Sequence, residues 1–275
     1  TLIHRDTGTK ARLGRLETGH GVIETPTFMP VGTQGSVKTL SPKELKEADS
    51  QIILGNAYHL YLRPGLEIIK NAGGLHKFIS WDKPILTDSG GYQIFSLAGF
   101  RKIKDEGVEF QSHLDGSRHF LTPEKVIEIE NVLGSDIMMP LDECAPYPCD
   151  HKHAKTAMER TTYWARRSKA VYGNRFAGCA NRAPRTANQQ LLFGIIQGAT
   201  YEDLRRQSAQ EIVETGFDGY ALGGLSVGEP KDSRYNIISF TVDFMPEFSA
   251  RYLMGMGTPE DILAAVKLGM DMFDC

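Results

Sequence analysis

Eight short apolar runs, with a longer helix-like segment after each but the last, restrict the fold of this chain more than any other feature. The runs are Phe28-Met29-Pro30-Val31, Ile52-Ile53-Leu54, Pro84-Ile85-Leu86-Thr87 and Ile137-Met138-Met139-Pro140-Leu141, then Leu192-Phe193-Gly194-Ile195-Ile196, Tyr220-Ala221-Leu222, Tyr252-Leu253-Met254 and Asp271-Met272-Phe273. Runs this apolar, separated by helices, predict strands of a parallel sheet buried on both faces. Eight of them predict closure into an α/β (β/α)8 barrel of the TIM type, one catalytic domain over residues 1–275. A doubly wound open sheet is the alternative, but no Gly-x-Gly-x-x-Gly follows the first run.

Helix starts support the alternation. Ser41-Pro42-Lys43-Glu44 combines an N-cap residue, a proline at the first position and an acidic first turn, and Thr122-Pro123-Glu124 and Thr258-Pro259-Glu260 repeat the formula. Residues 107–121 read as an inserted β-hairpin turning at Asp115-Gly116 beside the third strand, and residues 174–188 as an extended loop. The sequence stops just past the eighth run, with no helix to cover that strand, so it is expected to be a fragment of a longer protein.

With 41% hydrophobic and 24% charged residues, a large core is expected and disorder is not. No apolar stretch is long enough to span a bilayer, so no membrane partner is expected, and the start resembles no signal peptide. Cys144, Cys149, Cys179 and Cys275 are few and scattered, which points to a reducing, cytoplasmic setting. A net charge of -3 argues against a broad nucleic-acid surface but leaves room for a local patch. Arg160, Arg166, Arg167 and Lys169 share one predicted helix, where the plainer reading is a solvated face.

Chemistry in such a barrel belongs at the carboxyl ends of the strands. Those positions hold Asp88, Asp142, Gln197, Gly224, Gly255 and Asp274. Singly, an aspartate there caps a helix and a glycine serves a turn. Together they offer two carboxylates for displacement at a sugar anomeric carbon, one as nucleophile and one as proton shuttle. A further carboxylate, an amide and a backbone N–H match the donors and carbonyl of a guanine edge. Tyr92 and Met254 are placed to cover the ring faces.

These residues lie in motifs that resemble the tRNA-guanine transglycosylase (queuine tRNA-ribosyltransferase) family of bacterial type. Asp88-Ser89-Gly90-Gly91-Tyr92-Gln93 is similar to its Asp-Ser-Gly-Gly-aromatic-Gln signature, and Leu141-Asp142-Glu143-Cys144-Ala145-Pro146-Tyr147-Pro148 to its substrate-pocket segment. Gly194-Ile195-Ile196-Gln197-Gly198, Gly223-Gly224-Leu225-Ser226-Val227-Gly228-Glu229, Tyr252-Leu253-Met254-Gly255-Met256-Gly257 and Met272-Phe273-Asp274-Cys275 follow in family order.

The resemblance implies that Asp274 attacks C1′ of the wobble ribose to give a covalent tRNA adduct, and that Asp88 moves protons of the departing and arriving bases. It implies that Asp142 accepts from the base's ring N–H and amino group, while Gln197 and the Gly224 N–H donate to its carbonyl. The Leu225 carbonyl would hold the aminomethyl arm of a 7-deazaguanine base, and Tyr92 and Met254 would sandwich the ring. Ser89, Gly90, Gly91, Cys144 and Gly255 complete the implied substrate-binding set. Gly255, Met256, Gly257, Thr258, Pro259, Glu260 and Asp261 correspond to a stretch contacting RNA, with the target base flipped out of the anticodon loop. Val227 and Cys144 resemble the form that inserts the aminomethyl precursor rather than queuine.

The family's Zn2+ site, three Cys and one His, would lie beyond Cys275, so zinc is expected of the full-length protein and no metal ligand is assigned here. Cys144, Cys149, His151 and His153 have no zinc spacing. His59, His76, His113 and His119 are assigned to surface or packing. A homodimer is implied, and tRNA and the modified base are the expected partners. The competing readings are a non-catalytic tRNA-binding subunit and a barrel enzyme acting on free nucleosides or sugars.

Overall fold

A computed structural model of the chain describes residues 1–97, 99–174 and 190–275. The loop expected over 174–188 and Cys179 therefore fall outside the described residues, except that Asn174 ends the helix His151–Asn174.

The parallel sheet runs in the order Thr27–Met29, Met272–Asp274, Ala250–Leu253, Gly219–Leu222, Leu191–Ile196, Ile137–Met138, Ile85–Asp88, Ile53–Asn56, Val31–Gly32. Its two end members are halves of one extended run parted at Pro30, which has no N–H to give a ladder. The first half pairs with the last strand (Met29 opposite Asp274) and the second with the next strand in sequence (Val31 opposite Leu54), so the sheet closes on itself. All eight expected strands are present, and the fold is the α/β barrel expected.

Side chains alternate across each strand, as the two-residue period requires. Met29, Leu54, Leu86, Met139, Phe193, Ile195, Ala221, Tyr252 and Met272 fill the barrel interior. Neighbours such as Leu192, Ile196, Leu222, Leu253 and Phe273 face outward into a second core beneath the helices. The sequence turns helical where its start signals stand. Ser41 and Glu44 form a reciprocal capping box on Pro42–Glu47, and Thr122 and Thr258 accept from Lys125 N and Asp261 N at the heads of Pro123–Leu133 and Pro259–Lys267.

Two antiparallel sheets decorate the barrel. Leu2–Arg5, Arg12–Thr18 and Gly21–Thr25 form one at the amino-terminal end of the strands, where Ile23 enters the barrel interior as a plug. The sequence reading did not anticipate this sheet, whose strands carry exposed charge on one face. The other contains the expected hairpin, Gly107–Gln111 against Arg118–Leu121, with Arg101–Lys104 as a third strand. The expected two-residue turn at Asp115-Gly116 is wider. Gln111 pairs with Arg118, and Ser112 closes the loop by donating to the Ser117 carbonyl at 2.8 Å, because Ser112, Asp115 and Ser117 satisfy one another locally.

Candidate active site

The carboxyl ends of the strands surround a cavity of about 320 Å³. Asp88, Ser89, Gly90, Gly91, Tyr92, Asp142, Cys144, Gly224, Leu225, Met254, Gly255 and Asp274 all line it. Of the residues expected to be catalytic or substrate-binding, Gln197 alone sits behind the wall. It is buried, with Nε2 donating to Asp142 Oδ2 at 2.8 Å.

Asp88 ends the third strand. The register sets Asn56 directly opposite it, and Asn56 Nδ2 donates to Asp88 Oδ2 at 2.5 Å. Gln93 Nε2 donates to the same oxygen at 2.8 Å, and the N–H groups of Ala57 and Gly90 donate to Oδ1 at 3.1 and 3.2 Å. Burial, opposed by the donors of Asn56, Gln93 and Ala57 and reinforced by repulsion from Asp274, pushes Asp88 up to about 6. Asn56 and Gln93 had no role from sequence. Asn56 occupies the same strand-end position as the six residues singled out, and Gln93 lies inside the signature motif, so the signal was present.

Asp142 accepts from Gln197 and, at 3.3 Å, from the Ser89 hydroxyl. Burial, opposed by those two donors and reinforced by the neighbouring Glu143 carboxylate, raises it to about 6. Gly91 packs against it so closely that a Cβ would lie 2.7 Å from the Asp142 carbonyl oxygen, so only glycine fits there. Asp274, at the end of the eighth strand, accepts from the Tyr252 hydroxyl at 2.6 Å and from Gly255 N at 2.7 Å. Burial raises it too, against the pull of those donors.

The segment from Gly223 to Glu229 forms one wall. Glu229 is buried, accepts from Ser226 N and Val227 N at 2.6 and 2.9 Å, and is paired with Arg234 at 2.6 Å. Gly224 takes φ +65°, a conformation that favours glycine, and a Cβ there would sit 2.2 Å from Gln197 Oε1 and force that side chain to move. Cys144 is buried, and burial pushes its thiol up to about 12, which suits a wall residue rather than a nucleophile.

The stretch expected to contact RNA divides. Gly255, Thr258, Pro259 and Glu260 are exposed, and Gly257 is partly so. Met256 and Asp261 are buried, and Asp261 accepts from the Tyr235 hydroxyl at 2.5 Å and Lys231 at 3.2 Å. The basic helix face is occupied locally. Arg160 pairs with Glu143 and Asp105, Arg166 with Glu211, and Arg167 with Glu124.

Among the described residues, one set of side chains is close enough to share a metal ion: His20, His76 and Asp136, at the opposite end of the barrel. An ionised carboxylate only accepts, so the ring nitrogens at 2.9 and 3.0 Å donate to it. The rings are stacked, 3.5 Å between centroids, and each is bonded to a different oxygen of the Asp136 carboxylate. Asp136 also accepts from Ile85 N at 2.9 Å and His20 N at 3.1 Å. Burial raises this carboxyl, but the bonds from His76, His20 and Ile85 outweigh it and hold it below its ordinary range. The cluster is a clamp joining the plug sheet to the barrel floor, a role sequence reading gave to His76 only as packing.

A barrel whose mouth gathers three acids and a glycine-rich wall around one cavity has the layout of a barrel enzyme's active site. The profile of the family described as "Queuine tRNA-ribosyltransferase" matches residues 6–275. Among similar proteins, the queuine tRNA-ribosyltransferase of Caldanaerobacter subterraneus subsp. tengcongensis is 61% identical over 274 residues, covering 100% of this chain and 70% of the relative. Those of a Thermoanaerobacter species and of Desulforudis audaxviator are 59% and 56% identical over the same shares. The chain belongs to the queuine tRNA-ribosyltransferase family, and so to the pentosyltransferases.

Proposed function

We propose that this protein exchanges the wobble guanine of tRNA anticodons for a 7-deazaguanine base, a step of queuosine biosynthesis. The observation that supports it is that Asp88, Asp142 and Asp274 line a single cavity of about 320 Å³. The relatives' name supplies queuine, tRNA and, as the reaction type, ribosyl transfer.

Asp274 attacks C1′ of the ribose, an O–C1′ bond forms and the bond from C1′ to the purine breaks. Asp88 delivers its proton to the departing purine. The incoming base then gives a ring proton to Asp88 and its nitrogen attacks C1′, which releases Asp274. Two inversions at one carbon retain its configuration. A carboxyl near 6 suits both halves, because it is present in both protonation states close to neutrality. Asp142 reads the base's N–H donors, and Tyr92 and Met254 stack on the ring. Gln197 turns from Asp142 toward the base carbonyl when a base enters. Val227 and Cys144 line the wall where the 7-substituent points, which favours the small aminomethyl precursor. The exposed residues Thr258, Pro259 and Glu260 meet the anticodon loop.

Zinc and a homodimer rest on the resemblance, and a cytoplasmic location on the few, scattered cysteines. Among the described residues no cysteine joins a cluster of ligating groups, and no step above uses the metal.

The test is base exchange by the full-length protein. Incubation with unmodified tRNA and labelled guanine should move label into the tRNA through a denaturation-resistant protein–tRNA adduct. Exchange without any adduct, or activity on free nucleosides without tRNA, overturns this reading.

A further inference from the structure

Arg205 stands in the first turn of the helix Glu202–Thr215 and is completely buried. Among the described residues it pairs with no carboxylate. Its guanidinium instead binds four carbonyl oxygens: Nε to Ala199 at 2.8 Å, one terminal nitrogen to Ile196 at 2.9 Å and Gly223 at 2.8 Å, and the other to Gly224 at 3.3 Å. A buried charge with no carboxylate in contact carries a desolvation cost, which these charge-assisted bonds to main-chain carbonyls offset. The arrangement calls for a function.

The wall segment shows one. Gly223 N donates to the Ile196 carbonyl at 3.1 Å, while Ser226 N and Val227 N donate to Glu229. Between these pinned ends, Gly224 N and Leu225 N have no acceptor among the described residues. The peptide unit is planar and trans, so the C=O of one residue and the N–H of the next point in opposite directions. Arg205 draws the carbonyls of Gly223 and Gly224 toward itself, and the N–H groups of Gly224 and Leu225 therefore point away from it. Gly223, Gly224 and Leu225 wall the cavity and Arg205 does not.

We propose that Arg205 is a positioning residue: by holding the Gly223 and Gly224 carbonyls it turns the Gly224 N–H, the donor the family resemblance already implies, and beside it the Leu225 N–H into the cavity as a paired donor site for the carbonyl oxygen of the base. Its charge polarises both peptides in the direction that favours a negative oxygen. A purine leaving C1′ carries part of its negative charge on that oxygen, so the site is of the oxyanion-hole kind. This inference rests on the reading that a guanine-type base occupies the cavity.

The experiment compares guanine with 2-aminopurine, which lacks the carbonyl oxygen, as competitors of exchange in the full-length protein and in Arg205→Lys. The lysine keeps the charge but loses the fork that holds both carbonyls. Guanine affinity should fall by roughly tenfold or more, while 2-aminopurine should change by less than about threefold, and adduct formation should slow. Both ligands are measured on one preparation, so a loss of folded protein cancels in their ratio. An unchanged ratio, whether both affinities fall together or neither moves, overturns the proposal. Amide hydrogen exchange on the unmodified protein gives a second readout independent of any variant. Guanine should protect the amides of Gly224 and Leu225, and 2-aminopurine should not; guanine binding without that protection also overturns it. Wild-type protein that binds no guanine sinks the parent reading, a result distinguishable from an unchanged ratio.

Discussion

Tyr252 donates its phenol hydroxyl to Asp274 across adjacent strands at 2.6 Å. The register sets Tyr252 opposite Met272, two residues before the aspartate, so the tyrosine lies under the barrel mouth and reaches up to the carboxylate. Gly255 N supplies the second bond, at 2.7 Å. Burial holds the Tyr252 hydroxyl well above its ordinary range, so it stays a donor at every working pH. The proposed nucleophile is thus fixed in rotamer by two donors that oppose the effect of its burial, one from a neighbouring strand and one from the loop that follows it.

Removing the phenol oxygen tests that coupling. Tyr252→Phe leaves Asp274 with the Gly255 N–H alone, which should raise its pKa further and slow adduct formation by about tenfold, the scale of one hydrogen bond to a charged group. The acid limb of the pH–rate profile should move to higher pH. Asp274→Ala should remove the adduct altogether; a persisting adduct on denaturing gels would place the nucleophile elsewhere.

Asp88→Ala should lower exchange by roughly 10²-fold or more, the usual scale of general acid–base catalysis. Asn56 and Gln93 both donate to this carboxylate, so Asn56→Ala should shift the acid–base limb without abolishing turnover. Near-normal exchange by Asp88→Ala would assign the proton transfers to another group.

Periodicity made the barrel legible because each strand is an apolar run bounded by turn residues, and the capping threonines and serine marked the helices. Register was not legible, so Asn56 could be placed at a strand end but its pairing with Asp88 could not. Leu2–Arg5 and its partners escaped because a sheet with one exposed charged face lacks the apolar runs used to find strands. Arg205 was invisible for another reason. It binds main-chain carbonyls, which leave no pattern of side-chain types in a sequence. The motif residues were found because their chemistry and spacing coincide with strand ends. The fate of Gln197, spent on Asp142, is a matter of side-chain geometry.

Asp136→Asn should destabilise the protein by about 3 kcal/mol, since it leaves buried donors from Ile85 and His76 poorly matched. Asp136 lies below its ordinary range when folded, so its contribution is complete at neutral pH and is lost as pH falls through the carboxylate range. Denaturant unfolding at pH 7 and pH 4 should therefore show a smaller difference between variant and wild type at the lower pH. Activity per folded molecule should be unchanged, because the clamp lies at the far end of the barrel from the cavity. A variant as stable as wild type would reduce the clamp to an incidental contact.

Asp142 gives the opposite sign. Its carboxyl is raised from 3.8 to about 6 by burial, so between those values the folded protein binds more protons than the unfolded chain. Stability from this group falls as pH rises through that window, and above it the buried charge is a penalty on the order of 3 kcal/mol. Asp142→Asn removes the charge and keeps an acceptor for the Ser89 hydroxyl, while the Gln197 amide can turn to meet it. The variant should therefore unfold at a higher temperature than wild type at pH 8, and the gain should shrink toward zero near pH 4. Recognition runs the other way. Only the carboxylate accepts both base donors, so wild-type guanine affinity should drop about tenfold per pH unit below 6, whereas the variant should bind weakly at every pH. Calorimetric unfolding and guanine titration across that range measure both effects. A stability gain of equal size at pH 8 and pH 4 would show that Asp142 is not held near 6 by its surroundings, and that its charge is not what the site sacrifices stability to keep.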